Sequence, residues 1–275
     1  MNLPIFEVNE DPGPNFFKLL GSLDHGEPSF LKASQSLGHG LEAVQANEIP
    51  HGTTIVAVRF DGGVLIAGDR RATAGNIIAD RRIEKVYPAD RFSAVGFAGS
   101  AGPAMEMVKL FQVQLEHYEK VEGVTLSLEG KANQLAQMIR ANLPMAMQGL
   151  VVVPLFVGWD KESLKGRIFN YDVTGGRYEE VDYYAIGSGG REAQAYVKFA
   201  YRSQLSKQDV IRLALRSLFE AAQEDSATGG PDFMRGVYPI VATVDENGYE
   251  RASEVQIAEI SKEVVDEVAQ GGPRQ

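Results

Sequence analysis

The sequence predicts an α+β protein built as a four-layer α-β-β-α sandwich, with two mainly antiparallel sheets face to face and a helix pair on each outer side. Three observations lead there. Short apolar runs rich in β-branched residues alternate in groups with stretches of helical spacing, in the order strands, two helices, strands, two helices, strands. Tight polar turns join successive runs, which favours antiparallel pairing. Apolar residues make up 44% of the 275-residue chain, enough for a sizeable core, and no linker divides the part after residue 52.

Residues 1–52 sustain neither a helical nor a strand period. They hold seven acids against two bases, Lys18 and Lys32. Such a leader reads either as a disordered tail or as a propeptide cut at a defined junction. The pattern changes at Thr53, and residues 53–275 read as the folded domain. TTIVAVRF (53–60), the turn Asp61-Gly62-Gly63 and VLIAGD (64–69) read as a β-hairpin. Strands follow over 81–87 and 91–99. Ala104, Val108, Phe111, Leu115 and Tyr118 step by fours and threes along one helical face. Leu135, Met138, Ile139 and Ala146 mark a second helix, kinked at Pro144. Strands return over 150–159, 166–173 and 181–189. Helices come next, near 190–203 and 207–224. Ser206 with Asp209 resembles a capping box, and Ile211, Leu215, Leu218 and Ala222 give that helix its apolar face. VYPIVATV (237–244), a turn at 245–248 and VQIAEI (255–260) close the fold as strands, and VAQGGPRQ is read as a loose tail.

Composition removes several classes of function. The net charge of −10, with no Lys/Arg cluster, argues against nucleic-acid binding. The longest apolar run, 150–159, is too short for a bilayer span and contains a proline, and the N-terminus lacks the regions of a secretory signal, so a cytoplasmic chain is expected. Cysteine is absent, which excludes disulfides, thiolate metal sites and a Cys nucleophile. The four histidines are His25, His39, His51 and His117, and only His117 lies after Thr53. A Ser-His-Asp triad or a His-rich zinc site therefore loses its histidines if the leader is removed. His117 itself, between acids on a helical pattern, reads as a surface residue.

A hydroxyl nucleophile still needs a base. The one base any chain can supply is its own α-amine, whose pKa of about 7.7–8.0 suits general-base work near neutrality. Cutting between Gly52 and Thr53 would place that amine on a residue with a hydroxyl. Glycine leaves the junction carbonyl unhindered, and the β-branch of Thr restricts the hydroxyl's rotation. With the turn centred near Gly62, Asp69 falls opposite Ile55, on the sheet face of Thr53 and on the order of 7–8 Å from it. A one-residue slip would move it to the other face.

TTIVAVRFDGGVLIAGDRRATAG followed by RRIEKVYP resembles the start of a mature proteasome β subunit. GFAGSAGPA (96–104), GSGG (187–190) and EDSATGGPD (224–232) match later motifs of that family in order, over essentially all of 53–275. With its long leader the chain most resembles the actinobacterial 20S type. The resemblance implies the N-terminal-nucleophile (Ntn) hydrolase fold and a threonine endopeptidase that matures by autocatalytic cleavage at Gly52-Thr53. It implies Thr53 as nucleophile with its freed amine as base, Lys85 beside the hydroxyl, Asp69 holding Lys85, and the Gly99 N–H at the oxyanion. Ser188 and Asp225 would bond around the amine. Thr228 stands where the family often has Ser. Thr73 and Gly99 would pair with the substrate strand. Ala72, Phe97, Ala101 and Met105 would line an apolar specificity pocket. No metal or organic cofactor is implied. The implied partners are α subunits and further β subunits in stacked heptameric rings, an ATPase ring, and unfolded substrates tagged with the small protein Pup.

Each residue alone has a plainer account. Paired threonines suit a strand, Asp69 a turn, Lys85 a solvated surface, Ser188 a tight glycine loop, and Asp225 a helix end. The rival readings are an HslV-type peptidase subunit, a non-catalytic scaffold subunit of a proteasome-like ring, and another Ntn amidohydrolase acting on a small amide.

Overall fold

A computed structural model describes residues 52–271, so the expectations for residues 1–51 lie outside the described residues. β1 (Thr54–Phe60) and β2 (Gly63–Gly68) form the first hairpin. β3 (Ala72–Ala74) and β4 (Ile77–Asp80) form a separate two-stranded ribbon, followed by β5 (Val86–Asp90) and β6 (Ser93–Gly99). The helices α1 (Ala101–Glu122), α2 (Leu128–Ala141) and the single turn α3 (Leu143–Ala146) come next. Then come β7 (Val152–Asp160), β8 (Lys165–Tyr171), β9 (Arg177–Glu180) and β10 (Tyr183–Gly187). The chain ends with α4 (Gly190–Ala200), α5 (Lys207–Glu224), β11 (Ile240–Asp245), β12 (Gly248–Arg251) and α6 (Glu254–Gln270).

One five-stranded sheet has the order β10-β1-β2-β11-β12 and the other β5-β6-β7-β8-β9, with every pairing antiparallel. Strand alternation sends Ile55, Ala57 and Ile66 inward, where they meet Leu155, Val157 and Ile168 of the facing sheet. Val56, Val58 and Leu65 point the other way, against Val197, Leu218 and Ile257 of α4, α5 and α6. On the far side Phe156 and Phe169 pack under Phe111 and Leu135 of α1 and α2. The result is the expected layered α+β Ntn-hydrolase fold. Both sheets are covered on both faces, which is why strands such as β1 and β7 read as continuous apolar runs.

Several expectations are corrected. Residues 255–260 are helix, not strand. Ile257, Ile260 and Val264 are the buried residues at helical spacing, and Ser253 caps α6 by accepting the Gln256 N–H (3.2 Å). The helical period continues beyond the six residues that looked strand-like, and α6 makes the helices on that flank three rather than two. The tail is ordered to Gln270 for the same reason. Residues 81–85 lie outside the strands, because the chain there turns Lys85 into the interior (4% exposed) before β5 begins. The second helix ends at Ala141, and Pro144 sits in the first turn of α3, where its missing N–H costs nothing, rather than kinking a longer helix. Ala222 is half-buried, and Ala221 is the residue that faces the core.

The hairpin register also differs by one. Phe60 pairs with Gly63 across a two-residue turn, so Ile55 faces Gly68 and not Asp69. The turn takes Gly62 at φ 86°, a conformation that glycine adopts freely. Asp69 consequently lies beside Thr54, and its N–H donates to the Thr54 carbonyl (3.1 Å).

Phe156 joins the helix layer to the sheet, with its ring 5.8 Å from that of Phe111 and 6.0 Å from that of Phe169. Phe156→Ala is expected to cost about 3–5 kcal/mol, read as a lowered denaturant midpoint. A loss below about 1 kcal/mol would show that this layer repacks freely.

Candidate active site

β1 begins at the mouth of the first sheet, and four other segments converge on that end: the turn after β2, the loop before β5, the β10–α4 turn, and the loop after α5. Thr53 is 5% exposed there. Its Oγ1 donates to the Gly52 carbonyl oxygen at 2.6 Å, and the Lys85 Nζ donates to the same oxygen at 2.8 Å. Lys85 also donates to Asp69 Oδ1 (2.7 Å) and to the Arg71 carbonyl. One ammonium therefore ties the carbonyl before Thr53 to a carboxylate behind it.

Asp69 is fully buried, and its carboxylate is surrounded by donors. Oδ1 accepts the Thr54 N–H (2.8 Å) as well as Lys85, and Oδ2 accepts the N–H groups of Arg71 (2.9 Å) and Gly229 (2.9 Å). These donors come from four separate stretches of chain, so the charge is satisfied only in the complete fold. Burial lowers the Lys85 pKa from the usual lysine value; the Asp69 charge and hydrogen bond oppose that shift without cancelling it.

The second carboxylate, Asp225, caps the C-terminus of α5 and also reaches the site. Its Oδ2 accepts the hydroxyls of Ser188 (2.5 Å) and Thr228 (2.5 Å), and Oδ1 accepts the Ala227 N–H (3.1 Å). Burial pushes this carboxyl up. The two hydroxyl donors, the Ala227 N–H and the nearby Lys85 charge outweigh burial and hold it below the usual aspartate range. The Ser188 N–H donates to the Thr53 carbonyl at 2.8 Å.

Two cavities open beside Thr53. One is lined by Ala72, Phe97, Gly99, Ala101 and Met105, with Ile83, Glu84, Lys85 and Tyr87 added from the loop and strand of β5. Gly99, at φ 107°, lines both cavities, and a Cβ there would come within 2.1 Å of the Val151 carbonyl oxygen. The other cavity runs past Gly187 and Ser188 toward Arg191 and Gln194. Thr73, in the β3–β4 ribbon, lies next to Gly52, since a Cβ on Gly52 would sit 2.6 Å from its Oγ1.

The structure thus brings together all the residues singled out in the sequence around Gly52 and Thr53. Asp69 does not face Thr53 across the hairpin; its carboxylate binds the Thr54 N–H directly and the Gly52 carbonyl through Lys85, as the corrected register requires. One participant was missed. Thr54 is fully buried, with its Oγ1 2.6 Å from Thr228 Oγ1. Strand propensity accounts for a threonine there from sequence alone, and only the distant loop of Thr228 reveals the contact.

Two face-to-face antiparallel sheets between helix layers, with a threonine at the mouth of the first strand, have the layered α+β architecture of the Ntn-hydrolase fold. The model of the proteasome subunit family matches residues 49–234. The chain is 60% identical over 272 residues to a protein named proteasome subunit beta from Acidimicrobium ferrooxidans, covering 99% of this chain and 96% of that one. It is 52% identical to the protein of the same name from Streptomyces griseus (93% and 89% covered) and 56% identical to that from Acidothermus cellulolyticus (80% and 78% covered). The chain belongs to the proteasome subunit family, and its likeness is to the β type.

Lys85→Met alone leaves Asp69 buried without its ammonium, with an expected loss of roughly 3–5 kcal/mol. Asp69→Asn combined with Lys85→Met removes both charges and is expected to be less destabilised than the sum of the single changes. Thermal unfolding of the three variants measures the difference, and simple additivity would show that the two side chains are not coupled.

Proposed function

We propose that this chain is a threonine endopeptidase subunit of a proteasome core that releases its own nucleophile by cleavage between Gly52 and Thr53, with residues 1–52 as the propeptide. One observation carries the reading: the Gly52 carbonyl oxygen receives both the Thr53 hydroxyl and the Lys85 ammonium. In self-cleavage Thr53 Oγ1 attacks the Gly52 carbonyl carbon and gives up its proton. The charge that develops on the oxygen already has the Lys85 donor beside it. The C–N bond breaks, the departing nitrogen takes a proton, and Gly52 becomes an ester on Thr53. Water hydrolyses the ester, giving a leader with a terminal carboxylate and Thr53 with a free α-amine.

In turnover that amine, acting through a water, takes the Oγ1 proton as the hydroxyl attacks a substrate carbonyl. The Gly99 N–H is the oxyanion donor. Lys85 lowers the amine's affinity for its proton by charge, with Asp69 holding Lys85 in place. Asp225, Ser188 and Thr228 hold the amine's side of the site. The cavity of Ala72, Phe97, Ala101 and Met105 takes an apolar side chain, and Thr73 and Gly99 pair with the substrate backbone. The working unit is a stacked ring particle with α subunits, fed by an ATPase ring with unfolded, Pup-tagged chains. Among the described residues no helix is long and apolar enough to cross a membrane.

Intact mass of the assembled particle should show loss of residues 1–52, and retention of those residues in active particles would sink the reading. Thr53→Ala should give an uncleaved, inactive chain. Lys85→Ala should block both maturation and turnover; normal processing in that variant would remove Lys85 from the chemistry, whatever its stability.

A further inference from the structure

Of the two adjacent threonines, only the first has a part in the reaction proposed above. The geometry points to Thr54 as a positioning residue whose hydroxyl fixes the direction of the hydrogen bonds around Asp225, beside the nucleophile. This inference rests on the threonine-peptidase reading.

Thr54 shares its strand face with Val56 and Val58, toward α4 and α5, whereas Thr53 has the parity of Ile55, between the sheets. The Thr54 side chain therefore lies on the face opposite Thr53. Its Oγ1 accepts the Gly189 N–H at 3.0 Å and lies 2.6 Å from Thr228 Oγ1, which in turn lies 2.5 Å from Asp225 Oδ2. An ionised carboxylate only accepts, so the single Thr228 proton goes to Asp225. The hydrogen between the two threonines must then come from Thr54. The sequence of donors runs one way: Gly189 N–H to Thr54, Thr54 to Thr228, Thr228 to Asp225. Ser188 closes the corner, with its hydroxyl on the same Asp225 oxygen and its N–H on the Thr53 carbonyl (2.8 Å). Through its own N–H, Thr54 also binds Asp69 (2.8 Å), so one residue touches both carboxylate systems that flank Thr53.

Packing alone does not call for this hydroxyl. Valine has the same branching and favours strands, and in a fully buried position it would avoid desolvating an oxygen. The threonine is tolerable because each of its hydrogen-bonding groups is matched. Without its hydroxyl, Gly189 loses an acceptor, and Thr228 loses the donor that leaves its proton no other direction than Asp225. The charged groups facing this corner are Lys85 from the loop before β5, Asp69 from the end of β2, and Arg71, whose guanidinium holds the Ser226 carbonyl (2.9 Å). With a weaker hydroxyl donor, the Asp225 carboxylate gains affinity for its proton, so its protonated form persists to higher pH.

The test compares Thr54→Val and Thr54→Ser in assembled, processed particles, using a fluorogenic peptide with an apolar residue before the cut. Thr54→Val should lower kcat roughly tenfold with KM changed less than about twofold, and should move the acid limb of the kcat–pH profile to higher pH. Thr54→Ser, which keeps the hydroxyl, should restore both. A Thr54→Val enzyme with wild-type kcat and profile overturns the proposal. So does equal impairment of both variants with an unmoved acid limb, since that marks a packing role. If Thr54→Val does not assemble, Thr54→Ala takes its place under the same criteria. Wild-type particles that retain residues 1–52 would refute the peptidase reading instead, and intact mass distinguishes that failure from this one.

Discussion

The ion pair between Asp69 and Lys85 sets the terms for the rest of this site. Both side chains are buried, and neither is stable there alone. Removing two charges from water costs several kcal/mol per ion, and their attraction offsets that only when further donors and acceptors complete the geometry. Here the peptide groups of Thr54, Arg71, Gly229 and Gly52 supply them. A pair of this kind is a poor source of stability but a strong source of specificity: it fixes where the stretches at 52–54, 69–71, 85 and 229 must meet. They meet at the carbonyl that precedes Thr53.

The layered fold serves that convergence. β1 is a central strand of a sheet covered on both faces, so its end cannot shift without disturbing two cores. The helix layer behind it brings the Asp225 loop from one direction, and the β5–β6 side brings Lys85 and the Gly99 turn from the other. A rigid strand end with loops gathered around it is the usual way in which a scaffold holds reactive groups to within a fraction of an ångström.

Much of this was legible in the sequence, for reasons that differ from element to element. Long segments with a clear period, such as α1 and α5, announce themselves because burial of one face sets the spacing. The residues around Thr53 were legible through motif resemblance and through the scarcity of His and the absence of Cys, which left few bases to choose from. Short segments were harder. VQIAEI carries apolar residues that suit either period, and only its continuation to Val264 and its Ser253 cap decide for helix. The hairpin register turned on whether Gly63 belonged to the turn or to the strand, a difference of one residue that moved Asp69 from Ile55 to Thr54. The Thr54–Thr228 contact joins residues far apart in sequence, and no local pattern encodes it.

Gly52 carries a consequence of its own. It lines the Ala72–Phe97–Met105 cavity beside Thr53, yet it has no side chain to place there, and its backbone at φ 137° with Thr73 crowding the missing Cβ leaves no room for one. Under the proposed chemistry the severed leader therefore ends in a residue with no side chain to seat in that cavity.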